Sequence, residues 1–139
     1  MANRGLEALA AVPLFEGLSG RHLRHVRDLG DEAFFMKGAS LVRQGDEGDT
    51  FFVLLEGQAK VVRGGKTINT LIPGDHFGEI SLLDGGERTA SVVADTPVTC
   101  LVIDRKKFTK ALSKEPAMSK ALLKSMAKMI RRTDRSLGG

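Results

Sequence analysis

The sequence predicts a mainly β fold with flanking α-helices: an antiparallel β-barrel or jelly roll of about eight strands, with helices at the N-terminus and at the C-terminus. Three observations predict it. Short apolar or alternating runs recur between residues 32 and 104, each cut by turn residues within a few positions. Sixteen glycines against four prolines suit a middle built from tight turns. Helical periodicity is confined to the two ends, with none of the strand–helix alternation of a parallel sheet. The expected organisation is one domain over 1–139: N-terminal helices in 1–31, the barrel in 32–104 and C-terminal helices in 105–136.

Taken in order, Leu6, Leu9 and Ala10 recur at helical spacing until Pro13 interrupts them. A second amphipathic helix follows, with Ser19 as N-cap, an apolar stripe of Leu23, Val26 and Leu29, and Gly30 placed to stop it. Candidate strands are 33–36, 40–43, 50–55, 59–63, 66–71, 89–94 and 98–103. Gly64-Gly65 between two of these runs signals a tight hairpin. Asp104 is placed to cap a short helix reaching Leu112. Glu115-Pro116 opens a longer helix, with proline at a tolerated first-turn position. One face of it carries Met118, Leu122, Met126 and Met129 or Ile130; the other carries Lys120, Lys124, Lys128, Arg131, Arg132 and Arg135. Leu137-Gly138-Gly139 reads as a frayed tail.

With 42% hydrophobic residues the chain can build a core, and its seven phenylalanines are the only large aromatics. A net charge of +4 suits an anionic ligand and falls short of a nucleic-acid-binding signature. The single cysteine, Cys100, excludes an intrachain disulfide and reads as a buried, inert thiol in a reducing compartment. No apolar run is long enough to span a membrane, and the N-terminus lacks a secretory core, so a cytoplasmic location is expected. His22, His25 and His76 form no ligand set with the cysteine and read as solvated surface residues. Gly45-Asp46-Glu47-Gly48-Asp49 lacks the alternating acidic positions of a calcium loop, and no metal is expected. No Walker sequence or nucleophile elbow is present, so the chain is not expected to be an enzyme.

The chemistry concentrates in 77–92, Phe77-Gly78-Glu79-Ile80-Ser81-Leu82-Leu83-Asp84-Gly85-Gly86-Glu87-Arg88-Thr89-Ala90-Ser91-Val92. Gly78 to Leu83 can form one helical turn whose first backbone N–H groups are free to meet an anion, with Gly78 allowing close approach. Gly85-Gly86 let the chain double back so that Arg88 reaches the same volume, and arginine binds phosphate oxygens in pairs. Glu79 beside that anion site would repel phosphate, so a sugar hydroxyl is its natural partner. Together they suggest a ribose phosphate. The alternative for Arg88 and Glu79 is a structural ion pair.

The stretch resembles the phosphate-binding cassette of cyclic-nucleotide-binding domains, the family of protein kinase A regulatory subunits, cyclic-nucleotide-gated channels and catabolite activator proteins. Phe77-Gly78-Glu79-Ile80-Ser81-Leu82-Leu83 and Arg88-Thr89-Ala90-Ser91-Val92 match its two halves. Gly45-Asp46-Glu47-Gly48-Asp49, Glu56-Gly57 and Pro73-Gly74-Asp75 match its upstream turns. The resemblance implies that Arg88 contacts the cyclic phosphate and Glu79 the ribose 2′-hydroxyl. Phe77, the backbone of Gly78 and Ile80, Ser81, Thr89 and Ala90 complete the ligand site. It also implies that the C-terminal helix is a lid over the base, making the chain a ligand-operated switch read by a protein effector. Thr89 resembles the threonine of cyclic-GMP-selective members, whereas the bacterial flavour of the domain points to cyclic AMP. Cyclic AMP is therefore the expected ligand and cyclic GMP the alternative, with no further cofactor. Other readings of the chain are a homodimer through the C-terminal helix, a nucleic-acid module using its basic stripe, and a ligand-free interaction scaffold.

Overall fold

The computed structural model describes residues 5–136, apart from the side chains of Ile80, Arg135 and Ser136; the expected tail at 137–139 lies outside the described residues, as do residues 1–4. The chain runs α1 (Leu6–Ala10), a 3-10 turn (Pro13–Phe15), α2 (Gly20–Leu29), β1 (Asp31–Phe35), β2 (Ser40–Val42), β3 (Thr50–Glu56), β4 (Ala59–Arg63), β5 (Lys66–Leu71), β6 (His76–Phe77), α3 (Glu79–Asp84), β7 (Ser91–Ala94), β8 (Val98–Asp104), α4 (Arg105–Lys114) and α5 (Pro116–Ser136). The eight strands pair antiparallel in two four-stranded sheets, ordered β1-β8-β3-β6 and β2-β7-β4-β5. This is the jelly-roll form of the expected fold; the two sheets are not joined into a closed barrel.

The sheets face one another across Phe52, Leu54, Ala59, Leu71, Val92, Ala94, Val98 and Cys100. On its other face the first sheet carries the helices, through Phe51, Val53, Leu101 and Ile103 against Phe15, Val26, Phe108 and Met118. Strands β3 and β8 are therefore buried on both sides. That double burial explains the near-continuous apolar run Phe51-Phe52-Val53-Leu54-Leu55, which alternation alone would not produce. The second sheet has one solvated face, and its edge strand β5 is exposed along all but its last residue. Cys100 is fully buried, and that burial pushes its thiol pKa up to about 12, as befits an inert core residue.

Local signals placed most elements. Gly64 and Gly65 both have positive φ and close the two-residue β4–β5 hairpin, in which Arg63 pairs with Lys66. Ser19 caps α2 by accepting from the His22 N–H. Gly30 ends that helix in an extended rather than a left-handed conformation. It is needed for space: a Cβ there would lie 2.7 Å from Leu101 Cδ1 and 3.1 Å from the Val102 carbonyl. Strand β6 was not anticipated, because a two-residue strand carries no periodicity. Strand β7 begins at Ser91, so Thr89 and Ala90 lie outside it, contrary to the expected strand from 89.

Asp104 accepts from the Lys106 N–H at 2.6 Å and the Lys107 N–H at 3.4 Å, capping α4. Asp104→Ala is expected to cost about 1 kcal/mol in urea denaturation; an unchanged midpoint would show that the first turn is satisfied without it. At the far end of α4, Glu115 turns the chain into α5. His25 Nδ1 lies 2.8 Å from its Oε1 and His22 Nε2 3.4 Å from its Oε2. The expectation of two solvated surface histidines is therefore incorrect. Helical spacing puts both on one face, but only the tertiary fold brings Glu115 to that face.

Helix α5 buries Met118, Leu122 and Ser125, with Met126 and Met129 half-buried and Ile130 exposed. It lies along the N-terminal segment. The Gly17 N–H donates to Ser125 Oγ at 3.1 Å, and Arg132 donates to Glu16 at 2.9 Å. That guanidinium holds the Glu16 carboxyl below its ordinary pKa.

Candidate functional site

The cassette builds the site as a doubled-back loop. Gly78, at φ 87°, turns the chain from β6 into α3, a conformation that favours glycine. Gly78 has no side chain to cap α3, and the Glu79 N–H is turned toward its own carboxylate. Gly85 ends the helix in the left-handed region, and Gly86 follows with its N–H donating to Asp84 Oδ1 at 2.8 Å. The return segment is then clamped by the Gly45–Asp49 loop. Arg88 N–H donates to the Asp46 carbonyl at 2.8 Å, Gly45 N–H to the Arg88 carbonyl at 2.9 Å and Gly48 N–H to the Gly86 carbonyl at 2.9 Å. The acidic loop's role is thus to wall the cassette through its backbone.

A cavity of about 420 Å³ opens there. Seven of the eight expected site residues line it: Phe77, Gly78, Glu79, Ser81, Arg88, Thr89 and Ala90. Ile80 lies in α3 as expected, and its side chain is outside the described residues. Val42, Asp84, Gly86, Glu87 and Val92 also line the cavity. Val42 was missed because its motif-free strand comes to the site only through its pairing with Val92 across β2 and β7.

Arg88 is buried, 9% exposed. One guanidinium nitrogen donates to the Thr50 carbonyl at 2.8 Å, and the group lies 5.9 Å from the centre of the Phe52 ring. Among the described residues it has no carboxylate within ion-pair distance. Burial works against its charge and the charge of Asp49 supports it, and a guanidinium stays protonated. This is a cation desolvated in a cavity wall with donors to spare. The alternative of an Arg88–Glu79 ion pair is not what the structure shows.

Glu79 is instead paired with His76, whose Nδ1 lies 3.3 Å from Oε2. That hydrogen bond, opposed by burial, holds the Glu79 carboxyl below its ordinary pKa. His76 is therefore half-buried beside the site rather than a solvated residue. Gly48 is the other residue that went unnoticed: a Cβ on it would lie 2.3 Å from Arg88 Nε and 2.7 Å from Ser81 Oγ. Nothing in a G-D-E-G-D string says which glycine faces an arginine forty positions later.

The sequence model described as the cyclic nucleotide-binding domain matches residues 32–115, which takes in both walls of this cavity. The chain belongs to that family. It is a cyclic nucleotide-binding sensor domain. Two solved structures share its fold. The N-terminal domain of a transcriptional regulator from Streptomyces coelicolor A3(2) has a TM-score of 0.85 and 30% identity, covering 92% of this chain and 95% of that one. The catabolite activator protein of Thermus thermophilus has a TM-score of 0.69 and 30% identity, covering 91% of this chain and 62% of that one. Among curated proteins, human cGMP-dependent protein kinase 2 is 33% identical over 121 residues, 82% of this chain. A Drosophila melanogaster cGMP-dependent protein kinase, isozyme 2 forms cD5/T2, is 36% identical over 113 residues, 76% of this chain. The chain spans only 16% and 12% of the length of those two kinases. No helix among the described residues is long and apolar enough to cross a membrane.

Proposed function

We propose that the cavity takes a purine 3′,5′-cyclic nucleotide, with Arg88 and the α3 backbone on the phosphate and Glu79 on the ribose 2′-hydroxyl. The observation that carries this is the buried Arg88, which among the described residues has no anionic partner within ion-pair distance, in a cavity lined by residues from 77–92 and by Val42. Phe77, Val42 and Val92 offer apolar surface beside the polar groups. A thermal-shift series with both cyclic nucleotides and their linear monophosphates tests the reading. Stabilisation by the cyclic forms alone is expected; equal stabilisation by the linear forms would make the site a generic phosphate binder.

For the base, Thr89 supports cyclic GMP over the cyclic AMP expected from sequence. Thr89 lines the cavity, is exposed, and its hydroxyl has no partner among the described residues, only its carbonyl accepting from Arg63. The curated relatives are named for cyclic GMP as well. Thr89→Ala is expected to weaken cyclic GMP about three- to tenfold in calorimetric titration, one neutral hydrogen bond's worth, and to leave cyclic AMP unchanged. Tighter binding of cyclic AMP by the unmodified protein would restore the original expectation.

The switch we propose is movement of α5. Among the described residues α5 contributes nothing to the cavity lining and is docked on the N-terminal segment. Closing it over a ligand means releasing those contacts, and the ligand can drive this only as far as it prefers the closed state. Leu123 and Ile130 are exposed on its outer side, where a protein effector or a second copy would find an apolar face. The reducing cytoplasm remains the compartment that suits the buried Cys100 thiol.

A further inference from the structure

This inference rests on the reading above, in which Glu79 meets the sugar hydroxyl. The cavity holds two opposite charges, Glu79 and Arg88, that form no ion pair with each other among the described residues. Each is held elsewhere: Glu79 Oε2 by His76 Nδ1 at 3.3 Å, and Arg88 by the Thr50 carbonyl at 2.8 Å. A carboxylate only accepts, so the first bond requires a proton on Nδ1. His76 is itself fixed. Its backbone pairs with Val53 across β3 and β6, and its ring lies 5.8 Å from that of Phe51. The two side chains are 25% and 27% exposed, shielded enough for the bond to direct the carboxylate.

An untethered carboxylate in the same cavity as a buried guanidinium is drawn to it. Such a pair would occupy the donors the phosphate needs and the acceptor the hydroxyl needs. We propose that His76 is a positioning residue for ligand recognition: it anchors one oxygen of Glu79, keeps that carboxylate off Arg88, and leaves the other oxygen for the ligand sugar. The other charged groups around α3 are Asp84 and Glu87 on the cavity rim, Asp49 before β3, and Arg105 of α4 against Gly85 at the far end of α3. Among the described residues His76 is the other residue whose side chain bonds the Glu79 carboxylate, beside the backbone N–H of Glu79 itself.

A double-mutant cycle read by calorimetry on the full chain tests this, with cyclic AMP and cyclic GMP as probes. His76→Ala is expected to lose about three- to tenfold in affinity in the native background. It should change affinity less than twofold when Glu79 is already alanine, and His76→Asn, which keeps a donor near Nδ1, should recover most of the loss. Equal losses in both backgrounds, or no loss in either, would overturn the role of His76. A pH series adds a readout that mere packing would not move. Affinity falls as pH drops through the lowered Glu79 pKa, and without His76 burial dominates, so the fall should begin at higher pH; an unmoved acid limb counts against the proposal. If His76→Ala does not fold, His76→Leu fills the space without a donor and is compared with His76→Asn. An unmodified protein that binds neither nucleotide overturns the functional reading itself, whereas binding without coupling overturns His76 alone.

Discussion

Arg88→Leu is expected to weaken cyclic nucleotide binding at least tenfold. Hydrogen bonds to a charged group contribute about 1.5–3 kcal/mol each, and the buried guanidinium has donors beyond the one given to Thr50. The cost to the fold has two opposing parts. Losing the guanidinium strands the Thr50 carbonyl, worth about 1–3 kcal/mol if that carbonyl stays dry. Against this, a cation that has no ion-pair partner among the described residues no longer has to be kept out of water, which returns part of the loss. The variant should therefore fold, with a modest change in melting temperature and a large change in affinity. Survival of the fold does not rest on exposure of the site, since Arg88 is buried. Arg88→Lys sharpens the test, because it keeps the charge and loses the planar fork. Affinity retained by the lysine variant would point to a simple point charge, and affinity retained by the leucine variant would place the phosphate elsewhere.

Gly48→Ala should reduce affinity by a similar factor without removing any side chain that faces the ligand. The added methyl would sit 2.3 Å from Arg88 Nε and 2.5 Å from its Cζ, so the guanidinium must leave its place. Gly48 itself does not have a positive φ, and the atoms it would strike belong to side chains, Arg88 and Ser81. The strain thus falls on the site rather than on the backbone. A displaced guanidinium loses the Thr50 hydrogen bond, and stability should drop by about 1 kcal/mol. Gly78→Ala is the contrasting case: φ is 87° and the new Cβ would lie 2.7 Å from the Thr50 carbonyl, a backbone atom. It should lose stability as well as affinity. If Gly48→Ala binds normally, the guanidinium has another productive position and the tight passage beside Gly48 is incidental.

Much of this was legible because the signals are local. Caps at Ser19 and Asp104, the Gly64-Gly65 hairpin and the cassette string each depend on residues within a few positions. Where reading failed, the missing information was a distant partner. His22 and His25 could not be joined to Glu115, some ninety residues away, from helical spacing. His76 lies only three residues before Glu79, yet their contact depends on β6 pairing with β3 and on Gly78 turning the chain between them. Gly48 is recognisable as a turn glycine, but its neighbour Arg88 is set by the pairing of the acidic loop with the cassette.

The sequence by itself determined most of the helices and strands, β6 excepted, the turns between them, and the placing of Glu79 and Arg88 on one short doubled-back stretch. Those follow from backbone preference and short-range hydrogen bonding, which need only neighbouring residues. The tertiary structure decided that the sheets stay separate, that α5 docks on the N-terminal segment, and that Glu79 is tied to His76 while Arg88 passes beside Gly48. Side chains far apart in the chain meet only when strand register and core packing bring them within a few ångströms, and a single residue of register shift turns a side chain to the opposite face.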